Sequence, residues 1–228
     1  MSLLDQETIH LGSGGLSQPK VFAASLLSRT IMNHKAVLIL LRANLISEAR
    51  TLTRSCLENV LWMRRLKDEG ADFVEAILDD GRWADISFAK TLLPASDFMT
   101  DEQQEEVRLL SVIKGSKKIN PSDNTGSREA EQEYVLFKAL SGDSAHPSSK
   151  ALSRHLPKDE QGFMPDFFIE PPVDIQEMEY TIHFATTALI NAMRLYAEMQ
   201  SSIGDVVMLD EIGERYNGLA EQTLSLAD

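Results

Sequence analysis

The chain has 228 residues, 43% hydrophobic and 25% charged, with 35 acids against 22 bases and a net charge of −13. That length suits one large domain, or a domain with an appendage, and is enough to bury a core without disulfides or metal. The acidic balance excludes broad coating of nucleic acid or of an anionic membrane, since both attractions are mostly electrostatic, and leaves only a local basic groove open.

The single cysteine, Cys56, cannot form an internal disulfide, which predicts a reducing, cytoplasmic setting. No apolar run approaches the ~18–20 residues of a membrane helix. The N-terminus has no basic region followed by an apolar stretch, so no signal peptide is expected. Residues 1–16 read as a flexible leader, because Gly12-Ser13-Gly14-Gly15 breaks any helix. Glu7 and His10 form one Glu-x-x-His where a di-iron bundle needs two.

Ser17, with Pro19 in the first turn, predicts a helix to about Arg42. The next stretch, Asn44 to Glu69, is predicted to be one long central helix with two faces. Leu45, Ala49, Leu52, Thr53, Cys56, Leu57, Val60 and Met63 recur at core-facing spacing. Arg50, Arg54, Glu58 and Arg65 stack on the other side about four residues apart. Gly70 ends this helix.

A third helix is expected over about 71–93, with Asp80 interrupting its apolar face and Gly81 marking a kink or a close crossing. Thr100 and Gln103 form a capping box for a short acidic helix. Residues 116–127 read as an exposed mobile loop. A fifth helix over about 128–140 is followed by Ser141-Gly142-Asp143-Ser144-Ala145-His146-Pro147-Ser148. Gly142 is expected to supply a left-handed helix end, and Pro147 to open a short helix ending near His155. Residues 156–172 read as an irregular or hairpin arm. Asp174 and Glu177 predict a second capping box, for a helix from about Ile175 to Ser202. The tail, 205–228, reads as a weak amphipathic helix broken by Gly213 and Gly218. These patterns specify an all-α bundle of five to six helices over residues 17–204, with a short arm and a C-terminal tail. Surplus apolar surface on the last helix and tail predicts a homodimer.

Two constellations carry chemistry. Arg50, Arg54 and Glu58 can present a guanidinium pair, set by a carboxylate, to an anionic ligand. His146, in a turn beside Tyr134, Asp143 and Ser144, can act as a general acid or base or as an anion contact. Glu179 and His183, one turn apart, are two ligands short of a metal site and are expected to hydrogen-bond each other. No cofactor or metal is implied, and without a G-x-S-x-G or strands to mount one a serine hydrolase has no support.

The segments SEARTLTRSCLENV and YVLFKALSGDSAHPS together resemble an uncharacterised bacterial all-helical family. In it an A-x-x-L-x-R-x-x-x-E helix precedes a Tyr…Leu-Ser…His-Pro/Gly turn. The resemblance covers roughly residues 17 to 200. It marks Arg54, Glu58, Tyr134, Ser141, His146 and Pro147. More distantly, the chain is similar to the HEPN superfamily, many of whose members are dimeric metal-independent ribonucleases using an Arg and a His a few residues apart. The place for that arginine holds Leu140-Ser141-Gly142-Asp143. The resemblance therefore implies either that Arg54 substitutes in space or that the nuclease chemistry is absent.

The sequence thus supports a helical-bundle binding or interaction protein. Arg50, Arg54, Glu58, Tyr134, Ser141 and His146 would take a small anionic or nucleotide-like ligand. A HEPN-like endoribonuclease using His146 and Arg54 is the alternative, and a structural dimeric scaffold the third reading. The first two require Arg54 and His146 to converge on one cleft.

Overall fold

The computed structural model describes residues 18–114, 117–124, 126–143, 148–156 and 167–225. Among them are eight α-helices and no strand. The helices are α1 (Pro19–Arg42), α2 (Ile46–Glu69), α3 (Ala71–Leu92), α4 (Asp101–Ser111), α5 (Arg128–Asp143), α6 (Ser149–Leu152), α7 (Ile175–Met199) and α8 (Ile203–Ser225). The all-α expectation holds, but five to six helices is an undercount. The four-residue α6 stands apart, and the tail is one unbroken helix. Gly213 and Gly218 each cost about 1 kcal/mol relative to alanine, which is too little to break a helix that packs along α7. Leu209 is buried there, and Gly213 faces Ile190.

The central helix is α2, which packs against α1, α3, α5 and α7. Ala49, Thr53, Cys56, Leu57, Val60 and Met63 are buried as their spacing predicts, whereas Leu52 is half-buried and Leu45, in the turn before the helix, is exposed. The start of α1 (Ala23, Leu26, Leu27) shares one cluster with the end of α7 (Ala192, Leu195, Tyr196). The end of α1 (Val37, Leu41) shares a second cluster with Ala185, nearer the start of α7. These two helices are therefore antiparallel. One polar group inside the core is fully accounted for: Asn59 Nδ2 donates to Thr30 Oγ1 at 3.0 Å, and that hydroxyl donates to the Leu26 carbonyl at 2.8 Å.

Helix ends follow local chemistry, with corrections. The N-cap of α1 is Gln18, without a side-chain cap; Ser17 lies outside the described residues. Asn44 takes φ 60° in the turn before α2, a conformation that asparagine tolerates better than most residues. Gly70, at φ 59° and ψ −123°, ends α2 and joins it to α3. Thr100 and Gln103 form the expected capping box. At α7 the box is half formed: Asp174 accepts from the Glu177 N–H at 3.1 Å, while the Glu177 carboxylate pairs with arginines. Gly142 lies inside α5 and supplies no left-handed end.

The lysine-bearing segment after α4 is anchored to α3 at two points. The Lys117 N–H donates to Asp79 and the Ile119 N–H to Asp80, each at 2.7 Å, and Ile119 is buried. Asp80, which interrupts the apolar face of α3, is thus the anchor for this segment. In the arm, the Phe168 N–H donates to the His155 carbonyl at 3.0 Å, and the His155 ring stacks on Phe167.

Candidate functional site

Arg54 projects from α2 toward α5, where Ser141 occupies the last turn. Its Nε donates to Ser141 Oγ at 2.7 Å. The same hydroxyl donates to the Phe137 carbonyl at 2.7 Å, so its proton is committed to the backbone and its lone pair receives the guanidinium. The guanidinium carbon lies 4.4 Å from the centroid of the Phe137 ring, within cation–π range. Tyr134, one turn earlier on α5, stacks on Phe137 with centroids 6.1 Å apart. Glu58 approaches Arg54 Nη1 at 3.9 Å, an ion-pair distance too long for a hydrogen bond. Arg54 is thus fixed through one edge and one face, with its side chain 24% exposed and its terminal nitrogens unsaturated by hydrogen bonds among the described residues.

Four of the six predicted site residues, Arg54, Glu58, Tyr134 and Ser141, therefore gather on the seam between α2 and α5. Arg50 does not join them. It pairs with Glu177 Oε1 at 3.4 Å, and Glu177 is also gripped in bidentate fashion by Arg154. This triad ties α2, α7 and the segment after α6 together. His146 and Pro147 lie outside the described residues. The positions flanking them meet: Ser148 Oγ donates to the Gly142 carbonyl at 2.6 Å, and Ser148 caps α6 by accepting from the Ala151 N–H at 3.0 Å.

Three features were not read from the sequence. Phe137 is the platform under Arg54. Arg154 is the main partner of Glu177. Third, Glu133 is a buried carboxylate satisfied by Arg64 through two contacts of 2.7 Å and by Asn191 at 3.0 Å. Its partners come from α2 and α7, 69 and 58 positions away in sequence, so no local spacing signals them. The one usable hint was the aromatic at i+3 from Tyr134, which puts Phe137 on the same helix face.

Other candidates resolve structurally. Glu179 and His183 do not bond each other: among the described residues, Glu179 Oε2 and His183 Nδ1 have no hydrogen-bond partner. His183 instead stacks on Tyr216 of α8, centroids 5.5 Å apart. Burial holds its pKa below the usual imidazole value. His34, bonded to Thr186 at 3.1 Å, is lowered by burial as well. Burial pushes the Cys56 thiol up to about 12, partly opposed by Arg29, which makes it a core residue rather than a nucleophile. Among the described residues no group of three or more His, Cys, Asp or Glu could hold a metal ion, and no helix is long and apolar enough to cross a membrane.

Two adjoining cavities, of about 280 and 250 Å³, lie toward the other end of α2 around Arg64 and Lys67. Lys67 pairs with Glu198 and Arg64 with Glu133, so these cations are already neutralised. Neither cavity includes a predicted site residue.

Residues 20–163 match the Family of unknown function (DUF5677). No curated protein matches the chain, and no solved structure does.

Proposed function

The chain belongs to this family of unknown function, and we propose that it is a cytoplasmic helical-bundle protein that binds a small anionic or nucleotide-like ligand through Arg54. One observation carries the reading. The guanidinium is immobilised by Ser141 through Nε and by Phe137 through its face, which leaves the Nη edge that grips carboxylate or phosphate in bidentate fashion. Glu58, at 3.9 Å, orients that edge without saturating it. Tyr134 extends the aromatic surface beside it, suited to the ring of a base. Calorimetric titration with adenosine monophosphate and with inorganic phosphate tests this. Wild type should bind saturably. Arg54→Gln should lose at least about tenfold, the worth of one charge-assisted pair, and Ser141→Ala should lose a smaller factor. Equal affinities in all three proteins, or no binding by any, would overturn the reading.

A second reading is favoured by the Gly142–Ser148 hydrogen bond, which brings together residues on either side of the segment that contains His146. In a metal-independent ribonuclease, His146 would take the proton of a ribose 2′-hydroxyl as that oxygen attacks phosphorus and the 5′-oxygen leaves. Arg54 would hold the charge of the phosphorane. RNA incubated in chelator with wild type, His146→Ala and Arg54→Ala decides it. Cleavage that both substitutions abolish supports the nuclease; no cleavage above the variants leaves binding alone.

A further inference from the structure

The distal half of α3 and the whole of α4 stand off the bundle as a hairpin, whereas Phe73 and Val74 at the start of α3 lie in its core. None of the residues of α4 is buried, and among the described residues it packs against α3 and the turn before it. Ile86 and Ala89, in the distal half of α3, are buried yet belong to neither core cluster. The outer surface of this hairpin is both apolar and acidic. Phe88 is 64% and Val112 70% exposed, with Leu109 and Ile113 also in solvent. On α4 itself, residues 101–111 hold four acids against one base. On α4, Glu102, Glu105 and Leu109 are all exposed, and Val112 just beyond it continues their three- and four-residue spacing, which makes a narrow seam of the coiled-coil kind.

The complementary surface lies on α1. This helix carries Lys20, Arg29, Lys35 and Arg42 and no acid, within a chain of net charge −13. Along its outer side Ser28, Met32, Lys35, Ile39 and Arg42 are all exposed at alternating four- and three-residue spacing. Met32 and Ile39 are 61% and 65% exposed. One helix thus offers acids beside an apolar pair, and the other offers bases beside an apolar pair.

We propose that the occupant of each surface is a second copy of this chain. In a two-fold dimer, α4 of one protomer lies along α1 of its partner, and the symmetry axis makes the same contact twice. Run antiparallel, the contact sets Val112 against Met32 and Glu102 opposite Arg42, with Leu109 between Met32 and Ile39 and Glu105 between Lys35 and Arg42. Pairing α4 with α4 would set acids against acids, which opposes association.

Sedimentation of the full chain at low ionic strength across the micromolar range provides the test. Wild type should dimerise. Lys35→Glu with Arg42→Glu should weaken association roughly tenfold or more, as should Glu102→Lys with Glu105→Lys. An equimolar mixture of the two charge-reversed proteins should dimerise again, because both contacts in the mixed dimer then pair opposite charges. The substituted positions are exposed, and matched melting curves check the fold. A monomeric wild type, a dimer that neither reversal weakens, or a mixture that stays monomeric would each overturn the proposal.

Discussion

At the scale of single residues, the buried charges of this protein are matched by partners from distant helices. Glu133 is the clearest case, since Arg64 and Asn191 together saturate its carboxylate. Glu133→Ala would strand a partly buried guanidinium and an amide, and should destabilise the fold by about 3 kcal/mol in urea unfolding; a loss below about 1 kcal/mol would contradict this. The half-buried histidines set a pH dependence. His34 and His183 are both held below the ordinary imidazole pKa by burial. As pH falls through about 6.5, the unfolded chain therefore takes up protons before the folded chain does. Stability should fall on going from neutral to mildly acid pH, then level once the folded histidines protonate. The paired substitution His34→Gln, His183→Gln should flatten that slope in urea midpoints; an unchanged slope would assign it to other groups. At this scale the sequence was partly legible. Arg54 and Glu58 stand out through spacing and Ser141 through the family resemblance alone, whereas Glu133 gives no sign of being buried because its partners lie on two other helices.

At the scale of elements, helix limits were readable wherever local chemistry decides them, as at the Thr100–Gln103 box and at Gly70. The latter joins α2 to α3 at φ 59° and ψ −123°, a region that side-chain-bearing residues avoid. A Cβ there meets nothing within 4 Å, so Gly70→Ala tests backbone strain without steric contact. It should cost about 1–3 kcal/mol and lower the melting temperature; an unchanged melting temperature would contradict the assignment. Legibility failed where tertiary contact overrides local propensity. Packing on α7 carries α8 through two glycines. Asp79 and Asp80 tie down a loop whose composition signals mobility. The Glu177 carboxylate leaves its capping box for two arginines.

At the scale of the whole molecule, α2 has two ends with different roles. Toward its start, Arg50 binds α7 through Glu177 and Arg54 meets α5 through Ser141. Toward its end, Arg64 and Lys67 are consumed by ion pairs. That α2 is central was legible from its two-faced pattern; that four helices surround it was not. Which of its arginines would keep a usable edge was not, because that depends on the acids contributed by α5 and α7. The central claim is that Arg54 keeps that edge, and its Nε–H resonance reports on it most directly. In isotope-labelled protein titrated with inorganic phosphate, the Arg54 Nε–H signal should shift saturably in wild type, and the remaining arginine side-chain signals should move much less. An Arg54 signal that stays fixed while others move would contradict the claim.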